Sequence, residues 1–326
     1  MIKVGLIGCG FMGTMHTNCY KNIEGVELVA FADIRKEKAQ ELAVGTNATI
    51  YGDGKDLIAN ADVDIIDICL PTFLHAEYAM LAMEKVKYVF VEKPVALTKE
   101  QGAKMIEKAK ETGANVQIGQ VIRFWDEYVK LKEIIDSGIY GKVINANFRR
   151  LSPIPTWGWE DWLLKTELSG GAAQDLHIHD MDYVLSVFGK PLSMSSVKNI
   201  AGEPNSYINS VLKYSDFVVG VEGTWALPAS HPFEATFRVG FEKGVVENAG
   251  GKFIYYSENG AEEIKIEKKQ VVGEGFDGGN ISDLGGYYNE LVYFTDCAKN
   301  NAPVEKATLT DAVESLNFVL EEIANA

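Results

Sequence analysis

The opening run IKVGLIG (2–8) is apolar almost throughout and rich in β-branched residues. The same kind of run returns at ELVAFAD (27–33), VDIIDICL (63–70), YVFVEK (88–93) and NVQIG (115–119). Between these runs lie stretches with helical spacing, at 12–22, 35–44, 74–85 and 99–112. A strand without polar alternation must be covered on both faces, which calls for a parallel sheet flanked by helices. Right-handed crossovers then make the first third of the chain a doubly wound α/β layer.

The loop after the first strand is GCGFMG. Its Gly8, Gly10 and Gly13 stand in G-x-G-x-x-G register, with Phe11 and Met12 between them. Such a match is weak alone, but this one follows a strand and opens a helix, which is the context the motif requires. Glycines there allow a tight turn and let a pyrophosphate approach the backbone at the positive end of a helix. Asp33 closes the second strand, where its carboxylate can accept hydrogen bonds from an adenosine ribose and would repel a 2′-phosphate. That favours NAD over NADP. Arg35 follows closely and leaves dual use open. The bland alternative is a plain strand-to-helix turn with Asp33 as a helix cap.

After residue 122 the pattern changes. Residues 123–137 read as a helix ended by Ser137-Gly138. Strands then follow at 143–149, 207–214, 216–226, 234–241 and 252–257, with turn signals such as YSD, EKG and ENG between several of them. Short connections imply an antiparallel meander. Helices at about 283–299 and 310–323 close the chain. The expectation is two domains, 1–122 and 123–326, the second an α+β domain with a mainly antiparallel open sheet.

DLHIHDMD (175–182) concentrates charge within an apolar segment read as a helix over 172–188. On a regular helix Asp175, His179, Asp182 and Ser186 fall within roughly 60° of one another. Burying unpaired carboxylates is costly, so this narrow stripe should face a cavity or its own partners. Asp175 and His179 are four residues apart and can touch, as in a base with its orienting carboxylate. His177 and Asp180 lie on the other side and read as a satisfied structural pair. The two histidines point apart and no third ligand stands at a fixed spacing, so no metal is expected.

The stretch LPTFLHAEYAMLAMEKVKYVFVEKPVALT (70–98), together with the glycine loop, resembles the glucose–fructose oxidoreductase / inositol dehydrogenase / rhizopine-catabolism (Gfo/Idh/MocA) family. Glu92-Lys93-Pro94 matches that family's E-K-P, and His75 matches the histidine of its TP-x-x-x-H-like turn. Leu70-Pro71-Thr72 departs from the usual Thr-Pro-Asn. The resemblance implies an N-terminal Rossmann domain, a cis Lys–Pro bond at 93–94, and cofactor contacts from Pro71, Thr72, His75, Glu92 and Lys93. It also implies a D-x-x-x-H motif, here Asp175 and His179, that works with Lys93. In that scheme His179 takes the proton of a substrate hydroxyl, Lys93 binds the same oxygen, and Asp175 orients the histidine or binds a neighbouring hydroxyl. A homodimer or homotetramer built through the C-terminal sheet is a further implication.

Substrate signals are thinner. TWGWEDW (156–162) holds three of the five tryptophans, and Trp157 and Trp162 have faces suited to a sugar or cyclitol ring; they suit a core or a subunit contact equally well. Arg123 can reach a substrate or serve in a surface salt bridge. His16 and His231 read as structural. The formal charge of −15 excludes nucleic acid and anionic membrane as partners. Four scattered cysteines without C-x-x-C spacing suit a reduced cytoplasm. The leading expectation is an NAD-dependent dehydrogenase of a polyhydroxylated ring. An NAD-dependent glycosidase of the same family and a non-catalytic NAD-binding sensor are the alternatives.

Overall fold

A computed structural model describes residues 1–199, 205–266 and 284–326. These fall into two compact units, 1–121 with 284–316, and 122–199 and 205–266 with 317–326.

The first unit runs β1 (Ile2–Ile7), α1 (Phe11–Lys21), β2 (Val26–Ala32), α2 (Lys36–Leu42), β3 (Thr49–Tyr51), α3 (Gly54–Asn60), β4 (Ile65–Ile68), α4 (Thr72–Lys85), β5 (Tyr88–Val91), α5 (Lys99–Thr112) and β6 (Asn115–Ile118). Its six strands lie in the order β3-β2-β1-β4-β5-β6, and every pair is parallel. All residues of β4 and β5 are buried, as expected for strands with helices on both faces. Strand β1 pairs with β2 on one side and β4 on the other. The chain direction reverses there, and the crevice outside such strand ends is where open α/β sheets bind ligands. The pair β3 and α3 is absent from the sequence reading. A three-residue strand and a seven-residue helix carry too few apolar positions to show a period.

The second unit holds α6 (Asp126–Ser137), β7 (Val143–Pro153), α7 (Thr166–Ser169) and α8 (Ile178–Phe188). It continues with β8 (Ser193–Lys198), β9 (Tyr207–Lys213), β10 (Val218–Leu227), β11 (Glu234–Phe241), β12 (Gly244–Ala249), β13 (Lys252–Ser257) and β14 (Gly260–Glu263). The sheet order is β14-β13-β12-β11-β7-β10-β9-β8. Pairing is antiparallel except between β7 and β10, which run parallel. That central pair departs from a simple meander, because a long connection carrying helices separates its two strands. Along β9 and β10 residues alternate sides. Ile208, Leu212, Val219 and Val221 are buried, whereas Val211 and Val218 face outward. Among the described residues two later helices follow: α9 (Gly285–Lys299) belongs to the first unit, and α10 (Leu309–Asn325) supplies residues to both.

Two helices differ in detail from the sequence reading. The segment read as a helix from 123 begins as a 3-10 turn, Val121–Phe124, before α6. The segment read as one helix over 172–188 is a π-helical turn, Ala173–His177, running directly into α8. Periodicity at 3.6 residues per turn cannot reveal a π turn, whose bonds skip one residue more.

Candidate functional site

The glycine loop connects β1 to α1. Gly8 donates its N–H to the Ala32 carbonyl at 2.8 Å and has φ +95, where a Cβ would fall 2.5 Å from the Cys69 carbonyl oxygen. At Gly13 a Cβ would overlap the Gly8 carbonyl oxygen. Only glycine fits either place. Helix α1 then starts with no side-chain cap and no acidic residue in its first turn, where Phe11 and Met12 are half-buried. Its first N–H groups are therefore open to an anion.

Asp33 stands just after β2 and is buried. Its Oδ2 accepts from the Cys9 N–H at 2.8 Å, and its Oδ1 accepts from the Arg35 N–H at 2.8 Å and from Arg35 Nε at 3.3 Å. Asp33 ties the glycine loop to the second strand and does not act as the α2 cap, which is Arg35. A carboxylate has about four acceptor sites, so capacity remains for a diol. The Arg35 guanidinium lies beside the loop, 3.9 Å from where a Gly10 side chain would begin. Glycine turn, uncapped helix and strand-end carboxylate together fit a dinucleotide.

The turn after β4 and the turn after β5 are joined through His75. Its Nδ1 lies 2.7 Å from the Pro94 carbonyl and its Nε2 2.7 Å from the Leu70 carbonyl. The ring is 1 % exposed. This histidine holds backbone to backbone, supporting the turns that carry Pro71 and Lys93. Thr72 starts α4 and is buried too. Glu92 is buried, and its Oε2 accepts from the Lys93 N–H at 3.1 Å. The Lys93–Pro94 bond is cis. Lys93 is half-buried at the carboxyl end of β5.

In the second unit Asp175 lies within the π turn and His179 in the first turn of α8, both nearly buried. Single π turns inside helices occur often at functional sites. The wider turn also removes the regular 100° spacing on which the one-stripe reading of Asp175 and His179 depends. Arg123 is committed to Asp182: Nε to Oδ2 is 2.6 Å and Nη2 to Oδ1 is 2.8 Å. The aspartate is fully buried, so this is an interior fork and not a surface bridge. Arg150 forms a second such fork on Asp180, at 2.6 and 3.2 Å, and Tyr128 donates to the same carboxylate at 3.3 Å.

His177 and Asp180 are both buried, but they do not satisfy each other. His177 Nε2 lies 3.3 Å from Glu322 Oε1, whereas Asp180 takes Arg150. The distant arginine and glutamate were invisible to a reading confined to one helix. Trp157 is 40% exposed and Trp162 is half-buried. They flank or lie within the 3-10 segment Trp159–Leu164, in which Glu160 and Asp161 take left-handed φ of 50 and 55.

His16, read from the sequence as structural, has partners that no local window shows. His16, Asp67 and Cys69 on one side, and His16, Glu92 and Glu290 on the other, bring donor atoms within 4.8 Å of one another in the buried core of the first unit. Carboxylates already stand against both ring nitrogens, as in a buried ion pair.

Residues 2–120 match the family described as "Oxidoreductase family, NAD-binding Rossmann fold" (GFO_IDH_MocA). Residues 128–247 match the "GFO/IDH/MocA C-terminal domain". Myo-inositol 2-dehydrogenase of Thermotoga maritima is 31% identical over 193 residues, covering 58% of this chain and 55% of that protein. D-glucoside 3-dehydrogenase of Escherichia coli K12 is 30% identical over 192 residues, again covering 58% and 55%. The chain thus spans about half the length of these curated relatives. An oxidoreductase from Agrobacterium radiobacter, solved in complex with NAD+, L-tartaric acid and magnesium, shares the fold. Its TM-score is 0.82 at 17% identity, covering 99% of this chain and 96% of that one.

Proposed function

The chain belongs to the GFO/IDH/MocA oxidoreductase family, and on that premise we propose an NAD-dependent dehydrogenase. It moves a hydride between a hydroxyl-bearing carbon of a sugar or cyclitol and the nicotinamide. The observation that carries this reading is the first unit's glycine loop, where Asp33 grips the Cys9 amide beside an uncapped helix. The names of the two relatives supply the substrate class, an inositol or a glucoside.

Gly8, Gly10, Gly13, Phe11 and Met12 would hold the pyrophosphate, and Asp33 and Arg35 the adenosine ribose. Pro71, Thr72 and Glu92 would contribute contacts to the nicotinamide half, with His75 tying together the turns that carry them. Bound NAD would supply the hydride acceptor. Lys93 donates a hydrogen bond to the reacting oxygen and stabilises developing alkoxide. His179 takes the hydroxyl proton as a neutral imidazole, and Asp175 orients it or binds a neighbouring hydroxyl. Trp157 and Trp162 offer apolar faces to the ring's C–H groups. Arg123 contributes indirectly, by fixing Asp182 on α8.

Of the two expected domains, 1–122 would hold the cofactor and 123–326 the substrate and the assembly surface, with residues 284–316 packing onto the first unit. Ile144, Val197, Val211 and Val218 are exposed on the second unit's strands, which supports a homodimer or homotetramer through that sheet. No helix among the described residues is long and apolar enough to cross a membrane. Cys9, Cys19, Cys69 and Cys297 are free and buried, which favours a reducing cytoplasm.

The test is nicotinamide absorbance during incubation with NAD and a panel of inositols, aldoses and glucosides. Net NADH formation on at least one of them is expected. Sugar release without net NADH would identify the glycosidase alternative, and NAD binding with no turnover on any compound the sensor.

A further inference from the structure

His16 lies on α1, just beyond the glycine loop, and its side chain is fully buried. Its Nδ1 is 2.7 Å from Asp67 Oδ2. Its Nε2 is 3.0 Å from Glu92 Oε1; the N–H is poorly aimed at that oxygen, so the contact is one of charge more than of hydrogen bonding. Cys69 Sγ sits 3.3 Å from the same Nδ1. Phe90 meets the imidazole edge-on at 5.3 Å and Tyr287 tilts against it at 6.4 Å. From α9 comes Glu290, fully buried, with neither carboxyl oxygen hydrogen-bonded. Tyr20 and Cys19 complete the surroundings from α1 itself.

We propose that His16 is a positioning residue for Lys93: a buried cation anchored by Asp67, it holds the carboxylate of Glu92, and Glu92 holds the backbone amide from which the Lys93 side chain departs. The inference rests on the reading that Lys93 touches the reacting oxygen. The chain of contacts is continuous: Asp67 to His16, His16 to Glu92, and Glu92 Oε2 to the Lys93 N–H at 3.1 Å. A buried carboxylate without a nearby cation must either take up a proton or turn toward water. Both outcomes remove the charged acceptor from the Lys93 amide. Burial alone would lower the His16 pKa, but the charge of Asp67 raises it well above its ordinary value. Burial, and then the charge of Glu92, pushes the Glu290 carboxyl well up. The His16 ring thus stands between the side chains of Asp67 and Glu92, with Glu290 behind them held toward its protonated form.

Amide spectra of lysine-labelled protein read Lys93 directly. The protein is labelled with 15N-lysine, and the Lys93 amide peak is assigned by its loss in Lys93→Arg. In His16→Gln that peak should move upfield, as it should in Glu92→Gln, while His231→Gln leaves it in place. With a substrate that turns over, His16→Gln should lower kcat by roughly tenfold or more through misplacement of a catalytic group. NAD affinity should fall less than kcat, since the Gly8–Gly13 loop and Asp33 stay in place. Should His16→Gln fail to fold, Glu92→Gln probes the same contact from its other side. Ring-15N spectra of the wild type supply a measurement that needs no variant. An imidazolium pattern for His16 persisting at about pH 8.5 supports the proposal, and a neutral ring there overturns it. An unmoved Lys93 amide in both variants likewise overturns it. Absence of turnover on every polyol would instead strike the dehydrogenase reading, leaving the amide result to judge His16.

Discussion

The carboxylate of Asp33, at the end of β2, accepts a hydrogen bond from the Cys9 amide inside the glycine loop at 2.8 Å. One side chain thus organises the loop and presents an acceptor beside it. Replacing Asp33 by Ala should weaken NAD binding by about 1.5–3 kcal/mol, the range for a charged hydrogen bond. Asp33→Asn should keep much of the loop but lose the charge that repels a 2′-phosphate, so its preference should shift toward NADP. Calorimetric titration of both cofactors against the two variants checks this.

Gly13 has no space for a side chain. In Gly13→Ala the new methyl meets the Gly8 carbonyl oxygen, so the loop must distort. We expect a lower melting temperature and loss of the stabilisation that NAD gives the wild type. A variant that melts later with NAD, as the wild type does, would show that the loop tolerates the methyl and does not cradle the pyrophosphate.

Arg123→Ala removes the guanidinium fork from the buried Asp182 carboxylate. Breaking such a pair from one side costs about 3–5 kcal/mol. The double replacement Arg123→Met with Asp182→Leu should recover much of that loss, because two apolar side chains need no partner. Denaturant unfolding of the three proteins measures it. A wild-type-like midpoint for Arg123→Ala would show that the fork does not stabilise the fold.

Stability should fall as pH rises. Despite its burial, His16 has a raised folded pKa, owed to the charge of Asp67, so its contribution is complete below its unfolded pKa of about 6.5 and is lost as pH climbs through the folded value. Glu290, raised by burial and by Glu92, keeps its proton in the folded state and releases it on unfolding above about pH 4.5. It acts in the same direction. Unfolding free energy measured at about pH 6 and about pH 9 should decline, and the decline should be shallower in Glu290→Gln.

The amino-acid pattern discloses the first unit well, because near-continuous apolar strands such as IIDI and YVFV leave a parallel sheet as the one good solution. The Gly8–Gly13 loop and Asp33 are legible because their spacing is local. What escapes is non-local. Asp67 stands 51 residues from His16, and Arg150 stands 30 from Asp180, so neither buried pair leaves a trace in any window. The parallel pairing of β7 and β10 hides for the same reason. The π turn at Ala173–His177 escapes differently: its residues look helical, and only backbone geometry reveals the wider turn around Asp175.

In the proposed reaction the chain oxidises an alcohol and His179 accepts its proton. The most direct measurement is steady-state turnover of His179→Asn on the best polyol found, alongside NAD affinity. Loss of a general base should cut kcat by about 10²–10⁴-fold while NAD affinity stays near the wild-type value. Turnover equal to that of the wild type would contradict the account.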